Sequence, residues 1–267
     1  DGSVDPAVLY AAHLCGVERV YRVGGAQAVA ALTRGTETVP AVRKIVGPGS
    51  AYVAAAKRVV ADLVDVGLPA GPSESIVLVD RSADPHRVAL DLMIEAEHGS
   101  DSSALLVTDD TDLADAVAEK IAEILPTVPV ARRTPLSDVI TGYVGIVGTA
   151  SVEESTEVVN TFAPEHLLLH TADPRALAAR ITNAAEILIG PHTAFSLANY
   201  ATGPNAVLPT GGWAHTWSPV SVRDFRKTAS IIEVTPEGYR EMRDHVIALA
   251  DHEGFHTHAA ALRNRPD

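Results

Sequence analysis

Cysteine is nearly absent from this sequence of 267 residues, in which Cys15 is the single thiol. No intrachain disulfide can form, and this cysteine usage is typical of a reducing compartment. The residues around Cys15 have helical character, so we expect its side chain to be buried and inert. Long apolar runs are also lacking: none approaches the roughly 20 residues of a membrane span, and no cationic segment followed by an apolar one opens the chain. These absences predict a soluble, cytoplasmic protein.

Basic residues are outnumbered, with 21 Lys and Arg against 34 Asp and Glu, so the formal net charge is −13. A surface of this sign repels phosphate-rich polymers, which argues against a general nucleic-acid or anionic-membrane binder. Small molecules or other subunits are the expected partners. Aromatic residues make up only 4% of the chain and hydrophobic residues 46%. That balance is typical of an α/β core rich in Ala, Val and Leu.

Segments with strand and helix patterns alternate along the chain. Strands are predicted at residues 18–23, 44–46, 76–79, 105–107, 143–147, 186–189 and 230–234. Helices are predicted at 6–14 with Asp5 as N-cap, then at 28–33, 51–63, 87–98, 112–125, 152–159, 174–181, 236–250 and 251–264, with a connection at 126–135. Strands and helices joined by short links predict an α/β fold with parallel, doubly wound sheets. The Pro- and Gly-rich residues 67–75 are typical of a crossing between two lobes or of a rigid loop.

Two glycine-containing turns lead into predicted helices. The first is Gly24-Gly25-Ala26-Gln27, and the second is Gly47-Pro48-Gly49-Ser50, in which Ser50 is placed to cap the helix. Backbone N–H groups at a helix N-terminus can bind a phosphate. Neither turn has the complete GxGxxG spacing of a dinucleotide site. Each is therefore a candidate anion or cofactor contact.

A carboxylate and an imidazole stand side by side at Glu165-His166, just before an apolar run. Neighbouring residues on an extended backbone point in opposite directions, so only a bend near Pro164 could bring both side chains to one pocket. An imidazole can accept a proton from an alcohol near neutral pH, and a nearby carboxylate can orient the ring or activate a water. The alternative is a loop of solvated charges that precedes a buried strand.

Glu95 and His98 lie three residues apart and so share one face of a predicted helix. Glu-x-x-His is a spacing that metal sites on helices use. Polar residues at this spacing are also common on helix surfaces, and the spacing alone predicts a solvated surface.

Two further segments are candidates for function. The loop at residues 203–212 is rich in turn formers, and such loops often carry binding groups, although a structural role is the alternative. The short tail at residues 251–264 contains His252, Glu253, His256 and His258. It cannot form a core of its own, so it should pack on the main body or on a partner subunit, which favours a dimer.

Several motifs, in order along the chain, together resemble the histidinol dehydrogenase family. They are Gly24-Gly25-Ala26-Gln27-Ala28, Gly47-Pro48-Gly49, Ala70-Gly71-Pro72-Ser73-Glu74, Glu97-His98-Gly99, Asn160 with Ala163-Pro164-Glu165-His166-Leu167, and Gly203-Pro204-Asn205 with Leu208-Pro209-Thr210-Gly211-Gly212. The resemblance implies two Rossmann-like, doubly wound lobes with a small helical tail. It divides the chain into part of a nucleotide-binding lobe (1–75), a catalytic lobe (76–219) and a dimerisation tail (220–267).

The same resemblance implies an NAD-dependent, zinc-containing homodimer that oxidises a primary alcohol to an aldehyde and then to an acid. His166 would remove the alcohol proton, and Glu165 would activate the water that attacks the aldehyde. Gln27 falls on a position that contacts NAD, and Ser50 falls on another, where asparagine is usual. The family's zinc ligands are glutamine, histidine, aspartate and a histidine from the partner's tail. They correspond here to Glu95, His98, Asn199 and His258. The one anionic ligand would therefore be Glu95, at the family's glutamine position, and no longer the residue at position 199.

The substrate positions depart further from the family pattern. Ser73 and Glu253 match substrate contacts, whereas Phe195 replaces an expected carboxylate and Ala206 an expected histidine. The apolar replacements remove hydrogen bonds that an imidazole-bearing amino-alcohol needs. This favours another alcohol, such as the sulfonated diol of the sulfopropanediol dehydrogenase branch.

Two alternatives to a zinc enzyme remain at this point: a degenerate, non-catalytic subunit that binds or scaffolds, and a metal-free dehydrogenase that uses only His166. Family members also have a long segment ahead of the position of Asp1. The start without methionine therefore leads us to expect a fragment, a processed chain or incomplete numbering.

Overall fold

Two compact units, Asp1–Asp224 and Phe225–Asp267, make up the chain. The structure is a computed structural model that describes residues 3–266, apart from the side chain of residue 135. Its helices are α1 (Pro6–Leu14), α2 (Gly25–Arg34), α3 (Ala51–Val59), α4 (Pro85–Ala96), α5 (Thr111–Ile124), α6 (Val130–Gly142), α7 (Val152–Phe162), α8 (Pro174–Ala178), α9 (Phe195–Tyr200), α10 (Pro236–His252) and α11 (His256–Arg263). Within that range, no helix combines the length and the apolar composition needed to cross a bilayer.

A five-stranded parallel sheet forms the centre of the first unit. Its strands are β1 (Glu74–Val79), β2 (Ser103–Thr108), β3 (Val144–Gly148), β4 (His166–His170) and β5 (Glu186–Ile189), in the spatial order β3-β2-β1-β4-β5. The order reverses direction between β1 and β4, as it does in doubly wound sheets. The predicted α/β class and its parallel, doubly wound sheet are therefore confirmed. The described part of the chain contains no second sheet. Only one of the two predicted lobes therefore contains a sheet.

Helices cover both faces of the sheet. Apolar residues of α4, α5 and α9 pack on one face with Val77, Leu106 and Leu168, whereas α7 and α8 pack on the other with Ile76 and Leu167. Strands covered on both sides read as continuous apolar runs, which is why β1 and β4 were recognisable. Helix starts were recognisable from their caps: the Asp5 carboxylate accepts a hydrogen bond from the Ala7 N–H at 2.7 Å, as predicted.

Three predicted strands are wrong. Residues 18–23 and 230–234 have no regular structure, and within 44–46 a single bridge joins Lys44 to Asp65. Apolar alternation does not create a strand unless another strand lies beside it to complete the hydrogen bonds. The strand at 186–189 is confirmed with its predicted bounds.

Two further expectations are corrected in the first unit. The predicted connection at 126–135 gives way to α6, because Leu136 and Val139 pack against Met93 and Ala96 of α4. Cys15 is exposed, not buried, since it follows α1, a helix with no buried residue.

The second unit is a pair of helices held together by polar contacts. The Thr235 hydroxyl caps α10 by accepting from the Gly238 N–H at 3.1 Å. The Tyr239 hydroxyl donates to the carbonyl of Leu262 in α11. Arg263 pairs with Asp251 across the turn between the helices, at 2.5 Å.

Candidate active site

Three charged residues stand at the first positions of neighbouring strands. Glu74 begins β1, His166 begins β4 and Glu186 begins β5. Because β1, β4 and β5 are parallel neighbours, these first residues lie at the same edge of the sheet. Ligands of open α/β sheets more commonly bind at the opposite edge, where the strands end. The polar cluster is therefore built into the amino-terminal edge of this sheet.

A left-handed residue makes the bend that precedes β4. Ala163 closes α7 with φ 54° and ψ 64°, and among the described residues it is the only non-glycine with positive φ. Pro164 follows, and the chain enters β4 at His166. Glu165 and His166 are only 7% and 4% exposed, and Glu165 Oε1 lies 3.9 Å from His166 Nε2. The predicted bend is present, and the alternative of a solvated loop is wrong.

The His166 ring has two neighbours of different character. Its Nδ1 lies 2.9 Å from Oε2 of Glu186, and the ring of Phe195 packs edge-on with 5.7 Å between ring centroids. Burial disfavours the charged imidazole, but the hydrogen bond to Glu186 and the nearby carboxylates of Glu95 and Glu165 raise the pKa of His166 overall.

The Glu165 carboxyl group is held by the backbone of β1. Its Oε2 accepts a hydrogen bond from the Glu74 N–H at 3.1 Å. Burial raises the pKa of Glu165 to about 8; His166 and the hydrogen bond from Glu74 counteract the rise, and the charges of Glu95 and Glu74 add to it. A carboxyl group with this pKa can gain or lose a proton near neutral pH, as a general acid or base must.

Glu74 joins this cluster to the loop at 203–212. Glu74 Oε1 accepts a hydrogen bond from the Gly211 N–H at 2.9 Å, and burial raises the pKa of the Glu74 carboxyl. One residue before Gly211, the Thr210 hydroxyl accepts a hydrogen bond from the Gly71 N–H at 2.7 Å. Gly211 and Gly212 both have positive φ, a conformation that glycine adopts without strain. The loop is thus anchored at the site.

The candidate metal ligands are only partly assembled. Glu95 has no exposed surface, and neither of its carboxylate oxygens has a hydrogen-bond partner. His98 Nε2 lies 3.7 Å from Glu95 Oε2. Asn199 and His98 line a cavity of about 350 Å³. No group of three or more His, Cys, Asp or Glu side chains converges as a metal site anywhere in residues 3–266.

A buried carboxylate without a hydrogen-bond partner fits a zinc ligand, because burying a charge without hydrogen bonds is otherwise costly. The expectation of a solvated Glu95 is wrong: α4 turns this residue toward the sheet and leaves His98 exposed beyond its end. His258 is exposed on α11 of the second unit.

The candidate cofactor residues lie at two helix starts. Gln27 is exposed in the first turn of α2, and its Oε1 lies 2.8 Å from the place where a Cβ on Gly25 would stand. Gly25 has φ 69°, a conformation that favours glycine, whereas the end of the Gln27 side chain could move aside for a Cβ. Ser50 occupies the N-cap position of α3, but its side chain makes no capping hydrogen bond, contrary to prediction. Free N–H groups at these two helix starts fit an anionic group such as a dinucleotide phosphate.

The candidate substrate residues have different surroundings. Ser73 is half-buried next to Glu74, and its carbonyl accepts from the Ser103 N–H at 3.0 Å. Phe195 is fully buried against His166, whereas Ala206 is exposed in the loop at 203–212. Glu253 is exposed after α10 in the second unit.

Two carboxylates of the cluster, Glu74 and Glu186, were not predicted as site residues. Each is the first residue of a strand with an apolar interior. A charged residue at that position is an available signal, because the amino-terminal ends of parallel strands share one edge. Sequence does not tell which strands are neighbours, however, and so it does not pair Glu186 with His166.

Comparisons with known proteins give one consistent family. A family model described as histidinol dehydrogenase matches residues 1–266. The histidinol dehydrogenase of Synechocystis sp. is 50% identical over 265 residues, which are 99% of this chain and 61% of that protein. "Histidinol dehydrogenase homolog 2" of Mesorhizobium japonicum is 51% identical, over 98% of this chain and 60% of that protein.

A solved structure gives the same result. The crystal structure of histidinol dehydrogenase from Elizabethkingia anophelis superimposes with a TM-score of 0.94 at 36% identity, covering 98% of this chain and 60% of that one. The chain thus spans about three fifths of the length of the relatives that it matches.

Proposed function

Because the chain belongs to the histidinol dehydrogenase family, we propose that its site carries out the NAD-dependent oxidation of a primary alcohol, through an aldehyde, to a carboxylate. The observation that carries the proposal is the bend at Ala163. It gathers the Glu165 carboxyl and the His166 imidazole, with 3.9 Å between Oε1 and Nε2, into one buried cluster. Such a pair provides two proton acceptors beside one reacting carbon.

In the first oxidation, Nε2 of His166 accepts the proton of the alcohol hydroxyl while the carbon loses a hydride. In the second, the Glu165 carboxylate accepts a proton from the water that attacks the aldehyde, and the hydrated carbon loses another hydride. NAD, when bound, supplies the hydride acceptor for both oxidations. Gln27, Ser50 and the helix starts around them would hold it. The residues of the chain thus position the substrate and move protons.

Glu95, His98, Asn199 and His258 of the partner subunit would hold a zinc ion. When bound, zinc orients the alcohol oxygen and lowers the cost of the alkoxide. The fully buried Glu95 carboxylate, which has no hydrogen-bond partner, supports this assignment, because it supplies the anionic ligand that Asn199 cannot. The homodimer and the cytoplasmic location belong to the same proposal.

The substrate is an alcohol other than an imidazole-bearing amino-alcohol. Phe195 presents an aromatic edge beside His166, and Ala206 offers no hydrogen-bonding side chain. Ser73 and Glu253 remain as polar contacts. A small diol, including a sulfonated one, needs fewer hydrogen bonds from these positions than histidinol does.

The test is NAD reduction by the full-length protein with a panel of amino-alcohols, diols and hydroxysulfonates. We expect His166→Gln to lower alcohol oxidation by about 100-fold or more, the range for loss of a general base. Glu165→Gln should retain alcohol oxidation and release aldehyde. His86→Gln, an exposed histidine at the start of α4, serves as the matched control. A wild-type protein that reduces NAD with none of these alcohols would refute the proposal.

A non-catalytic binding subunit is the second candidate. The replacements Asn199, Phe195 and Ala206 favour it, because the first removes a negative charge at a ligand position and the other two remove polar groups at substrate positions. Stoichiometric zinc in the purified protein, lost on His98→Ala, would argue against this candidate. A metal-free dehydrogenase is distinguished by activity that survives chelation.

A further inference from the structure

The closest polar contact of the candidate base comes from a neighbouring strand. His166 and Glu186 are directly paired residues of β4 and β5, and Glu186 Oε2 lies 2.9 Å from His166 Nδ1. Both side chains are largely shielded from water, so the contact is not one of the mobile ion pairs of a protein surface. Two adjacent strands of a core sheet therefore fix its geometry.

This contact determines which ring nitrogen carries the proton. An ionised carboxylate can only accept hydrogen bonds, so the neutral ring that pairs with Glu186 must have its hydrogen on Nδ1. The other nitrogen, Nε2, is then left with a free lone pair. Glu165 does not compete for the ring, because its nearest oxygen is 3.9 Å from Nε2, beyond hydrogen-bonding distance.

We propose that Glu186 is a positioning residue that holds His166 in the tautomer with the hydrogen on Nδ1, so that Nε2 faces the reacting hydroxyl as the proton acceptor. The inference rests on the proposed role of His166 as base. Phe195 packs against the same ring in a T-shaped arrangement and limits its rotation. The hydrogen bond sets the tautomer, and the aromatic contact helps to set the plane of the ring.

The step itself is a simple proton transfer. The O–H bond of the alcohol breaks, its proton forms a bond to Nε2, and the ring becomes an imidazolium that donates from Nδ1 to Glu186. The carboxylate stabilises this charged ring without taking its proton. The same carbon loses a hydride, for which bound NAD would be the two-electron acceptor, so charge and electrons balance.

Two substitutions of Glu186 distinguish the effect of its hydrogen-bond acceptor from the effect of its negative charge. Glu186→Leu removes the acceptor, whereas Glu186→Gln keeps a neutral amide oxygen in the same place. Glu157→Gln, an exposed residue of α7, is the matched control. Nitrogen chemical shifts of histidine rings report the tautomer directly, at a pH where the ring is neutral. Steady-state kinetics on the full-length protein give kcat and KM separately.

We expect the wild-type ring and the Glu186→Gln ring to carry hydrogen on Nδ1, and the Glu186→Leu ring to be a mixture of tautomers. We also expect kcat to fall by about tenfold or more in Glu186→Leu, and less in Glu186→Gln, with KM changed little because the residue does not contact substrate. A wild-type ring with hydrogen on Nε2, or an unchanged tautomer and kcat in Glu186→Leu, would overturn the inference.

These outcomes differ from a failure of the proposed function. If no alcohol is oxidised but Glu186→Leu still alters the tautomer, the pairing stands and the dehydrogenase proposal falls. If His166→Gln abolishes oxidation and Glu186→Leu changes neither measurement, the function stands and the positioning role falls. Thermal unfolding of both Glu186→Leu and Glu186→Gln shows whether any change comes from a loss of folding.

Discussion

Glu165 is the residue whose protonation most directly limits the proposed second oxidation. Burial raises its pKa to about 8, so the carboxylate that must accept a proton from water is a minority form at pH 7. The rate of aldehyde oxidation should therefore rise with pH and level off above about pH 8. Glu165→Gln should remove this rise together with most of the rate.

The measurement is NAD reduction with an aldehyde substrate between pH 6 and 10. Glu157→Gln, whose side chain is exposed, should retain the wild-type profile. A Glu165→Gln variant with the same rise in rate near pH 8 would assign that titration to another group.

Glu95 is a second residue of interest, because burying its carboxylate is unfavourable for folding. Its carboxylate is fully buried without a hydrogen bond, so without metal it destabilises the fold, and with metal it supplies the anionic ligand. We expect Glu95→Gln to lower zinc affinity by about tenfold or more and to raise the unfolding free energy of the metal-free protein by about 1 kcal/mol or more. Metal analysis and denaturant unfolding after chelation measure the two effects.

His98→Ala supplies the comparison for this prediction. His98 is half-exposed, so its loss should reduce bound zinc without the gain in metal-free stability. His86→Ala, on an exposed position of the same helix, should change neither quantity. Equal zinc content in wild type, Glu95→Gln and His98→Ala would contradict a metal role for this pair.

At the scale of elements, the end of α7 decides whether Glu165 and His166 meet. Ala163 is fully buried and has φ 54°, a conformation that β-branched residues strongly resist. We expect Ala163→Val to destabilise the protein by about 2 kcal/mol or more, through strain and overpacking. Ala163→Gly should stay within about 1 kcal/mol of wild type, because relief of strain offsets greater chain entropy and a lost methyl group.

Denaturant unfolding of the two variants tests this prediction. The nearby Val158→Ala substitution in α7 provides a control for ordinary loss of packing, since Val158 is only partly buried. A stable Ala163→Val variant with an intact Glu165–His166 pair would show that the left-handed residue is not required.

One strand residue, Glu74, helps to anchor the loop at 203–212. Glu74 Oε1 accepts a hydrogen bond from the Gly211 N–H. The backbone N–H of Glu74 donates a hydrogen bond to Glu165 Oε2. We expect Glu74→Ala to speed hydrogen exchange at the Gly211 amide by about tenfold or more, because a single hydrogen bond is worth about 1 kcal/mol or more when it involves a charge. Exchange at amides in the interior of β1 is the internal control. An unchanged Gly211 amide would show that the loop is held by other contacts.

At the scale of the whole molecule, buried acids make stability depend on pH. Burial raises the pKa of Glu165 to about 8 and of Asp91 to about 7, from ordinary values of 4.5 and 3.8. The folded state then binds more protons than the unfolded state, so the unfolding free energy falls as pH rises toward 8. The raised pKa of His166 acts in the same direction.

Other groups define the pH window in which this fall is clearest. Burial lowers the pKa of His170 below 6.5, which opposes the fall at lower pH. Hydrogen bonds lower the pKa of Asp65 and Asp80 below 3.8, and the stability from those groups is lost only in acid. Between pH 6.5 and 8, each acid whose pKa is raised by burial should lower the unfolding free energy by at most about 1.4 kcal/mol per pH unit. Glu165→Gln and Asp91→Asn should each flatten the curve measured by denaturant unfolding. An unfolding free energy that rises with pH across this window would contradict the prediction.

The sequence by itself determined the features that depend on neighbouring residues along the chain. The cap at Asp5, the apolar runs of β1 and β4 and the bounds of β5 follow from local pattern. Pro164 likewise predicts a bend before His166, although the residue that makes it is the left-handed Ala163. The order of motifs also identified the family, since their spacing is recorded in the chain itself.

Only the tertiary structure decided which of these elements meet. The strands predicted at 18–23 and 230–234 are absent because no other strand lies beside them, and α6 forms because α4 supplies an apolar surface. Glu186 became the partner of His166 because β5 lies next to β4, and Glu95 became buried because α4 faces the sheet. Strand adjacency and burial arise from contacts between distant parts of the chain, which no local pattern of residues records.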